Sequence, residues 1–330
     1  MRDYLFIYRC ELPEGLMRLA RSPEMLRLRG VGMNCGCEYS SFPRFRGIES
    51  YSRYEHSLGA AMLTLRFSGS LRQSAAALLH DIATPVFAHV VDFMRGAHIG
   101  QTAPESGTEE LIVSSASLRE GLAELSLAPE DVSDYHRYPL ADNPTPRLSA
   151  DRLEYTCGNA INFSFASRAE TAELTDDLMP GENEFGEPEL VFRSPDKARR
   201  FAALALECSR IYVCDADRYS MQTLAELLRD ALDAGAIGEA DLRGTESALI
   251  KKLLADEPFA ARWRAFTALS STRRAAEPQE KGVWRRIPAK RRHIDPFIEG
   301  RGRASAVFAD FGAELAEFLA EEQESYICGE

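Results

Sequence analysis

Four residues of this chain are of the types that hold a divalent metal ion in proteins. They are His56, the adjacent pair His80 and Asp81, and Asp151. Imidazole nitrogens and carboxylate oxygens together suit Mn, Fe, Ni and Zn and, less well, Mg. An ion with open positions can bring a water and a phosphate oxygen together, as hydrolysis of a phosphate ester or anhydride requires. The sequence therefore predicts one divalent metal ion per chain and a metal-dependent phosphohydrolase.

Helices should position all four of these residues. Apolar residues recur at helical spacing after His56, which places His56 at a helix start. The helix-forming run AAALL leads into His80 and Asp81, and a proline-containing turn ends that helix. Asp151 opens a further helical stretch after the breaker-rich residues 142–146. Three helices that converge on one ion would build the site from rigid elements.

The strings around these residues resemble the HD-domain phosphohydrolase superfamily, in particular its deoxynucleoside triphosphate triphosphohydrolase branch. They are RYEHSLG at 53–59, LLHDIATPVFAH at 78–89 and DRLEY at 151–155, and KRRHIDPFI at 290–298 resembles a string near the end of many bacterial members. The resemblance implies a mainly α fold, an HD-domain helical bundle in which the four residues above are the metal ligands. It also implies a nucleotide substrate, with a deoxynucleoside triphosphate as the precedent.

Six further residues receive roles from this resemblance. Arg53 would contact a substrate phosphate, since a guanidinium matches phosphate geometry. His89 and Asp92 match positions beside the phosphate with acid or water-orienting roles, although a histidine on an apolar helix is otherwise usually a core residue. The residues that match positions facing the phosphate tail or the sugar are Arg152, Tyr155 and Tyr212.

The chain departs from the family pattern where the leaving group is protonated. Thr84 stands where the family has a second His of the HD motif, and Pro104 and Glu105 replace a downstream His-Glu pair. His98 lies nearby and could substitute. Three interpretations therefore stay open: a hydrolase of nucleotides, an HD hydrolase of another phosphate mono- or diester, and a non-catalytic nucleotide sensor.

Composition bounds the domain organisation and the compartment. The 330 residues with 45% apolar content can bury one large core. We expect a helical HD phosphohydrolase domain at 1–272 and a small, basic α+β C-terminal appendage at 273–330. No apolar run is long enough to span a bilayer, no secretory signal is evident, and seven Cys without a regular framework indicate reduced thiols. These features predict a cytoplasmic protein with no membrane partner.

Charge is distributed unevenly along the chain. The net charge of −12 argues against a general nucleic-acid binder, and no sequence-specific nucleic-acid partner is expected. Residues 273–303 nevertheless carry ten Lys or Arg against four acids. Such a cluster can bind phosphates or pair with the acidic surface of a neighbouring subunit. We expect it to serve the contacts of a homo-oligomer or an allosteric nucleotide site.

The remaining pattern predicts mostly helices. A strand is expected at 3–9, one helix at 14–29, and a loop or hairpin at 168–189. Ser194 and Pro195 are typical of a helix start, and Gly235 of the end of the same long helix. Further helices are predicted at 54–67, 70–80, 85–96, 107–122, 149–166, from about 245, and at 306–323.

Overall fold

The computed structural model describes residues 3–49, 51–96 and 107–330, and these residues are mainly helical. The α-helices among them are α1 (Glu14–Ala20), α2 (Pro23–Arg27), α3 (Arg53–Ser68), α4 (Leu71–Leu79), α5 (Val90–Met94), α6 (Thr108–Ser114), α7 (Ala116–Glu124), α8 (Ala150–Asn162), α9 (Arg168–Asp176), α10 (Pro195–Tyr212), α11 (Asp215–Asp233), α12 (Glu239–Leu242), α13 (Glu246–Ala255), α14 (Glu257–Ala268), α15 (Ala304–Val307) and α16 (Ala309–Ala320). The strands are β1 (Leu178–Glu182), β2 (Pro188–Phe192), β3 (Thr272–Ala275), β4 (Trp284–Arg285), β5 (Phe297–Ile298), β6 (Gly302–Arg303) and β7 (Tyr326–Gly329). The mainly α fold is confirmed. None of these helices is long and apolar enough to cross a membrane.

Helices α3, α4 and α8 form the centre of the fold. Helix α3 begins with a capping box in which Ser52 and Glu55 satisfy each other's backbone N–H groups. Most of the α3 side chains are buried. Gly59 allows α8 to approach α3 closely, because a Cβ at this position would lie 2.5 Å from Glu154 Oε1. The close approach brings a buried carboxylate of α8 next to the first turn of α3.

Two clusters of buried apolar side chains fill the interior. One contains Leu63 of α3, Leu78 of α4 and Leu153 of α8. The other contains Leu224 of α11 and Phe266 of α14. A cleft lies where the two clusters meet, because its lining draws residues from both.

The C-terminal residues pack onto the elements that precede them. Strand β5 pairs in parallel with β2, with Val191 opposite Phe297, in a sheet of order β1-β2-β5-β6. Arg303 donates to both carboxylate oxygens of the fully buried Glu189, at 2.6 and 2.8 Å. A second sheet has the order β3-β7-β4. The division into domains at residue 272 stays a prediction.

Several predicted elements differ from the observed ones. Residues Asp3–Tyr8 form a 3-10 helix in place of the expected strand. The helix expected at 14–29 is broken at Ser22, which caps α2. The helix expected at 85–96 starts only at Val90, because Phe87 and Ala88 have positive φ angles. The long helix after Pro195 is interrupted between α10 and α11, whereas the segment 168–189 does contain a hairpin strand pair, after helix α9.

Candidate active site

Three of the four predicted metal ligands converge on one point. His56 Nε2 lies 3.2 Å from His80 Nε2 and 3.0 Å from Asp151 Oδ1. His80 Nε2 lies 3.4 Å from the same Asp151 oxygen. Two imidazole nitrogens and a carboxylate oxygen within 4.8 Å of one another fit a single divalent ion. The first turn of α3, the end of α4 and the first turn of α8 supply these groups, as the helix pattern predicts.

Asp81, the fourth predicted ligand, lies beside the cluster and forms an ion pair with Arg53. Its Oδ2 lies 3.5 Å from His80 Nε2 and 3.9 Å from His56 Nε2, and it accepts a 2.8 Å hydrogen bond from Arg53 Nη1. Burial opposes ionisation of Asp81, but the Arg53 guanidinium holds the pKa of this carboxyl well below its usual range. Thr84 Oγ1 donates to the other oxygen, Oδ1, at 2.7 Å. The residue that replaces the family's second His therefore orients a predicted ligand.

Glu154 holds His56 from the side away from the cluster. Its Oε2 accepts from His56 Nδ1 at 2.6 Å and from the hydroxyl of Tyr51, while Oε1 accepts from the Tyr8 hydroxyl at 3.1 Å. A carboxylate on the outer nitrogen fixes the tautomer that leaves Nε2 free to bind a metal. The sequence analysis missed Glu154, although its position three residues after Asp151 puts it on the same face of α8.

The pKa values of His56 and Asp151 indicate that the cluster favours a positive charge. Burial opposes the imidazolium form of His56, yet hydrogen bonds with Asp151 and Glu154 raise its pKa to about 10. Burial likewise opposes ionisation of Asp151, yet the hydrogen bond with His56 lowers its pKa to about 2. Without a metal ion, the proton on His56 supplies this positive charge. A cation bound among these groups would supply it instead.

The cluster lies in a cleft of about 1070 Å³, part of which is open to solvent. The cationic residues among its lining are Arg53, Lys290 and Arg292. Aromatic side chains are also frequent in the lining, namely Phe45, Phe93, Tyr135, Tyr155, Phe163 and Tyr212. The cleft thus combines a metal cluster, cations and aromatic surface.

His89 lies in the same cleft between a carboxylate and a guanidinium. Its Nδ1 donates to Asp92 Oδ2 at 3.0 Å, and its Nε2 accepts from Arg292 Nη2 at 3.3 Å. Burial and the neighbouring arginine cation outweigh Asp92 and lower the pKa of His89 to about 4. The imidazole is therefore neutral at physiological pH and presents Nε2 as an acceptor.

The other predicted substrate residues divide into two groups. Tyr155 and Tyr212 line the cleft, with ring centroids 6.4 Å apart. Arg152 is not among the described residues that line it, and its guanidinium donates to Thr145 Oγ1 at 2.8 Å. The substrate-binding role inferred for Arg152 stays a prediction. His98, Pro104 and Glu105 lie outside the described residues.

The basic segment contributes to the cleft through Lys290 and Arg292, which the sequence analysis assigned to subunit contacts or an allosteric site. The match of KRRHIDPFI was the available signal for a role at the active site. Other arginines of the segment pair with acids of the same chain, for example Arg285 with Glu226 and Arg274 with Asp215.

Comparison with known proteins finds relatives of this chain and a similar solved structure. No protein-family model matches the chain. The chain is 25% identical over 323 residues to the metal-dependent phosphohydrolase cns2 of Cordyceps militaris, and the match covers 92% of this chain and 87% of that protein. It is 25% identical over 244 residues to the uncharacterized protein YdhJ of Bacillus subtilis, covering 73% of this chain and 71% of YdhJ. The crystal structure of a phosphohydrolase from Bacteroides thetaiotaomicron superimposes with a TM-score of 0.67 at 15% identity, over 97% of this chain and 96% of that one.

The site and the relatives agree on the general chemistry. Two His and a carboxylate meet as a divalent-metal site requires, and a relative over most of the chain is a metal-dependent phosphohydrolase. The fold is that of a known phosphohydrolase structure. Metal-dependent phosphohydrolase activity is thus supported at a general level, and the findings agree with the resemblance to the HD-domain phosphohydrolase superfamily.

Proposed function

We propose that the chain hydrolyses a phosphate ester or anhydride of a nucleotide. The observation that carries this proposal is the composition of the cleft, which joins the His and Asp cluster to three cations and six aromatic side chains. The metal cluster and the cations suit a phosphate group, and the aromatic side chains suit the flat face of a base or the ring of a sugar. The family resemblance extends the proposal to a deoxynucleoside triphosphate that releases triphosphate.

The metal would be held by His56, His80, Asp81 and Asp151. An ion bound there would supply Lewis acidity and a water whose pKa is lowered toward neutrality. Glu154 fixes the orientation of His56 for this purpose. Three of these ligands, His56, His80 and Asp81, are buried. Bulk water therefore does not reach them from the side that faces away from the cleft.

Substrate phosphates would be bound by Arg53, Lys290 and Arg292. Arg53 is already fixed by Asp81 beside the cluster, so its guanidinium is pre-oriented. When Arg292 turns to a phosphate, His89 Nε2 becomes available to accept a proton from the attacking water. Asp92 holds the proton on Nδ1 and so keeps the acceptor nitrogen toward the cleft. His89 and Asp92 therefore act as a water-orienting pair in this proposal.

Thr84 limits the leaving groups that this site can release quickly. It donates its hydroxyl proton to Asp81 and offers no acid of suitable pKa. General acid help contributes about 10²–10⁴-fold to such reactions. We therefore expect slow turnover where a poor leaving group must be protonated, and faster turnover on activated aryl phosphates.

The test is product analysis with the purified protein in Mn²⁺. Nucleoside mono-, di- and triphosphates, their deoxy forms and p-nitrophenyl phosphate are offered, and released phosphate, pyrophosphate and triphosphate are separated by ion exchange. We expect metal-dependent release from nucleotides that Asp151→Ala abolishes. Asp233→Ala, an exposed aspartate of α11, is the matched control and should retain the activity.

Two outcomes would overturn the proposal. Hydrolysis of the aryl phosphate without binding or turnover of any nucleotide would indicate a different phosphate ester as substrate. Nucleotide binding without metal-dependent turnover of either substrate type would indicate a sensor. The released anion decides between triphosphate release and removal of a single phosphate.

A further inference from the structure

Apolar side chains form part of the cleft lining, in addition to the metal cluster. Phe45 and Phe163 form an edge-to-face pair there, with ring centroids 6.4 Å apart, and Ile211 and Met221 line the same cleft. Such surface accepts the face of a heteroaromatic ring. Two buried polar side chains, Asp217 and Asn159, line the same cleft.

Asp217 is a buried carboxyl group with one oxygen unused. The residue is 8% exposed and lines the cleft. Its Oδ1 lies 3.6 Å from Cys37 Sγ, which donates to it, whereas Oδ2 has no hydrogen-bond partner among the described residues. The adjacent Arg218 donates elsewhere, to Ile287 O at 2.6 Å and to Asp215 Oδ1 at 2.6 Å. Burial of an unpaired polar atom is unfavourable, so a ligand atom opposite Oδ2 would relieve this cost.

Asn159 presents a second unused acceptor. It is 5% exposed, and its Nδ2 donates to the hydroxyl of Tyr212 at 2.7 Å. Its Oδ1 has no partner within the described part of the chain. Both Asn159 and Tyr212 line the cleft. The amide is thus held by one end and offers its carbonyl oxygen to a ligand donor.

We infer that Asp217 and Asn159 bind the hydrogen-bonding edge of a nucleobase whose faces are covered by the apolar lining of the cleft. The inference rests on the proposed nucleotide substrate and deepens it by assigning a base-binding subsite. It makes Asp217 and Asn159 specificity-determining residues that discriminate nucleotides from phosphates without a base.

The protonation state of Asp217 agrees with this role. Burial raises its pKa to about 8, against the opposing effects of the Cys37 hydrogen bond and the Arg218 charge. Cys35, Cys214 and Glu38 are further titratable groups nearby, and burial first and the Asp217 carboxylate in addition raise their pKa values. A neutral acid offers one donor and one acceptor, and the edges of all nucleobases present both kinds of partner. An amide at this position would offer the same pair.

The experiment compares a nucleotide with a base-free substrate. For each variant we take the ratio of kcat/KM for the best nucleotide to kcat/KM for p-nitrophenyl phosphate. Asp217→Leu should lower this ratio about 10-fold or more through KM, because a base atom is left unpaired. Asp217→Asn should restore most of the loss, and Asn159→Ala should lower the ratio by a similar factor. Asn162→Ala, a neighbour on α8 with an equally unpartnered amide that does not line the cleft, should leave the ratio unchanged.

The outcomes separate this inference from the proposed function. If the wild-type protein turns over nucleotides but the ratio is unchanged in Asp217→Leu and Asn159→Ala, the base subsite is wrong and the nucleotide substrate stands. If ribose 5-phosphate is turned over as well as nucleotides, the subsite is also wrong. If only p-nitrophenyl phosphate is hydrolysed, the nucleotide proposal itself fails. Should Asp217→Leu not fold, Asn159→Ala and Asp217→Asn carry the same comparison.

Discussion

Replacing Glu154 by Gln should loosen the metal site without removing any ligand. The carboxylate is fully buried and accepts from three donors, namely His56 Nδ1, the Tyr51 hydroxyl and the Tyr8 hydroxyl. A glutamine of the same size removes the negative charge and puts an N–H₂ group where one oxygen accepts, so at least one of the three hydrogen bonds is lost or reversed. Loss of such outer carboxylates typically lowers metal affinity or activity by about 10–100-fold, or about 1.4–2.7 kcal/mol. The loss or reversal of a buried hydrogen bond should cost about 1–3 kcal/mol of folding free energy as well.

The assay is a competition titration of Mn²⁺ against a chelator, together with urea unfolding of the metal-free protein. Glu173→Gln is the matched control, because that side chain is 71% exposed and pairs with a surface lysine. Tyr8→Phe removes one donor and should have a smaller effect on affinity than Glu154→Gln. Wild-type metal affinity in Glu154→Gln would refute the reasoning that this carboxylate orients His56.

Three further changes test other parts of the site. His80→Ala combined with Asp81→Ala should reduce bound metal from about one ion per chain to almost none; equal metal by elemental analysis would contradict the assignment. Arg292→Ala should lower kcat/KM by about 10-fold or more and shift the acidic limb of the pH profile upward, because a cation that depresses the pKa of His89 is removed; an unshifted limb would exclude this contact. As the pH rises from 4 to 8, the free energy of unfolding of Asp217→Asn should increase relative to that of the wild type by about 1.4 kcal/mol per pH unit, measured by urea unfolding. The sign follows because the folded pKa of about 8 exceeds the unfolded one, so the wild type loses stability as pH rises; parallel profiles would contradict it.

The metal ligands could be predicted from the sequence because their signals are local. His56 follows a helix cap, His80 ends a helix-forming run and Asp151 opens the helix after a breaker-rich segment. Each signal lies within a few residues of the ligand. The short strings that resemble the HD superfamily contain these same local signals.

The parts that escaped prediction depend on distant contacts or unusual backbone conformations. Positive φ angles at Phe87 and Ala88 delay the start of the helix to Val90, and the residue types Phe and Ala do not predict such angles. The break between α10 and α11 occurs at Val213 and Cys214 without a Gly or Pro. The contact of Arg292 with His89 depends on how the C-terminal segment packs, which a local pattern does not specify.

The order in which the site can be assembled follows from the sequence separation of its contacts. His56 meets His80 over 24 residues and Glu154 over 98, whereas Arg292 meets His89 over 203. Chains are made from the N-terminus, and folding proceeds in that direction during synthesis. A nascent chain can therefore gather its metal ligands well before the ribosome has made Arg292. Incomplete chains without Arg292 would lack part of the proposed phosphate-binding wall, so we expect them to have less hydrolytic activity than chains that contain it.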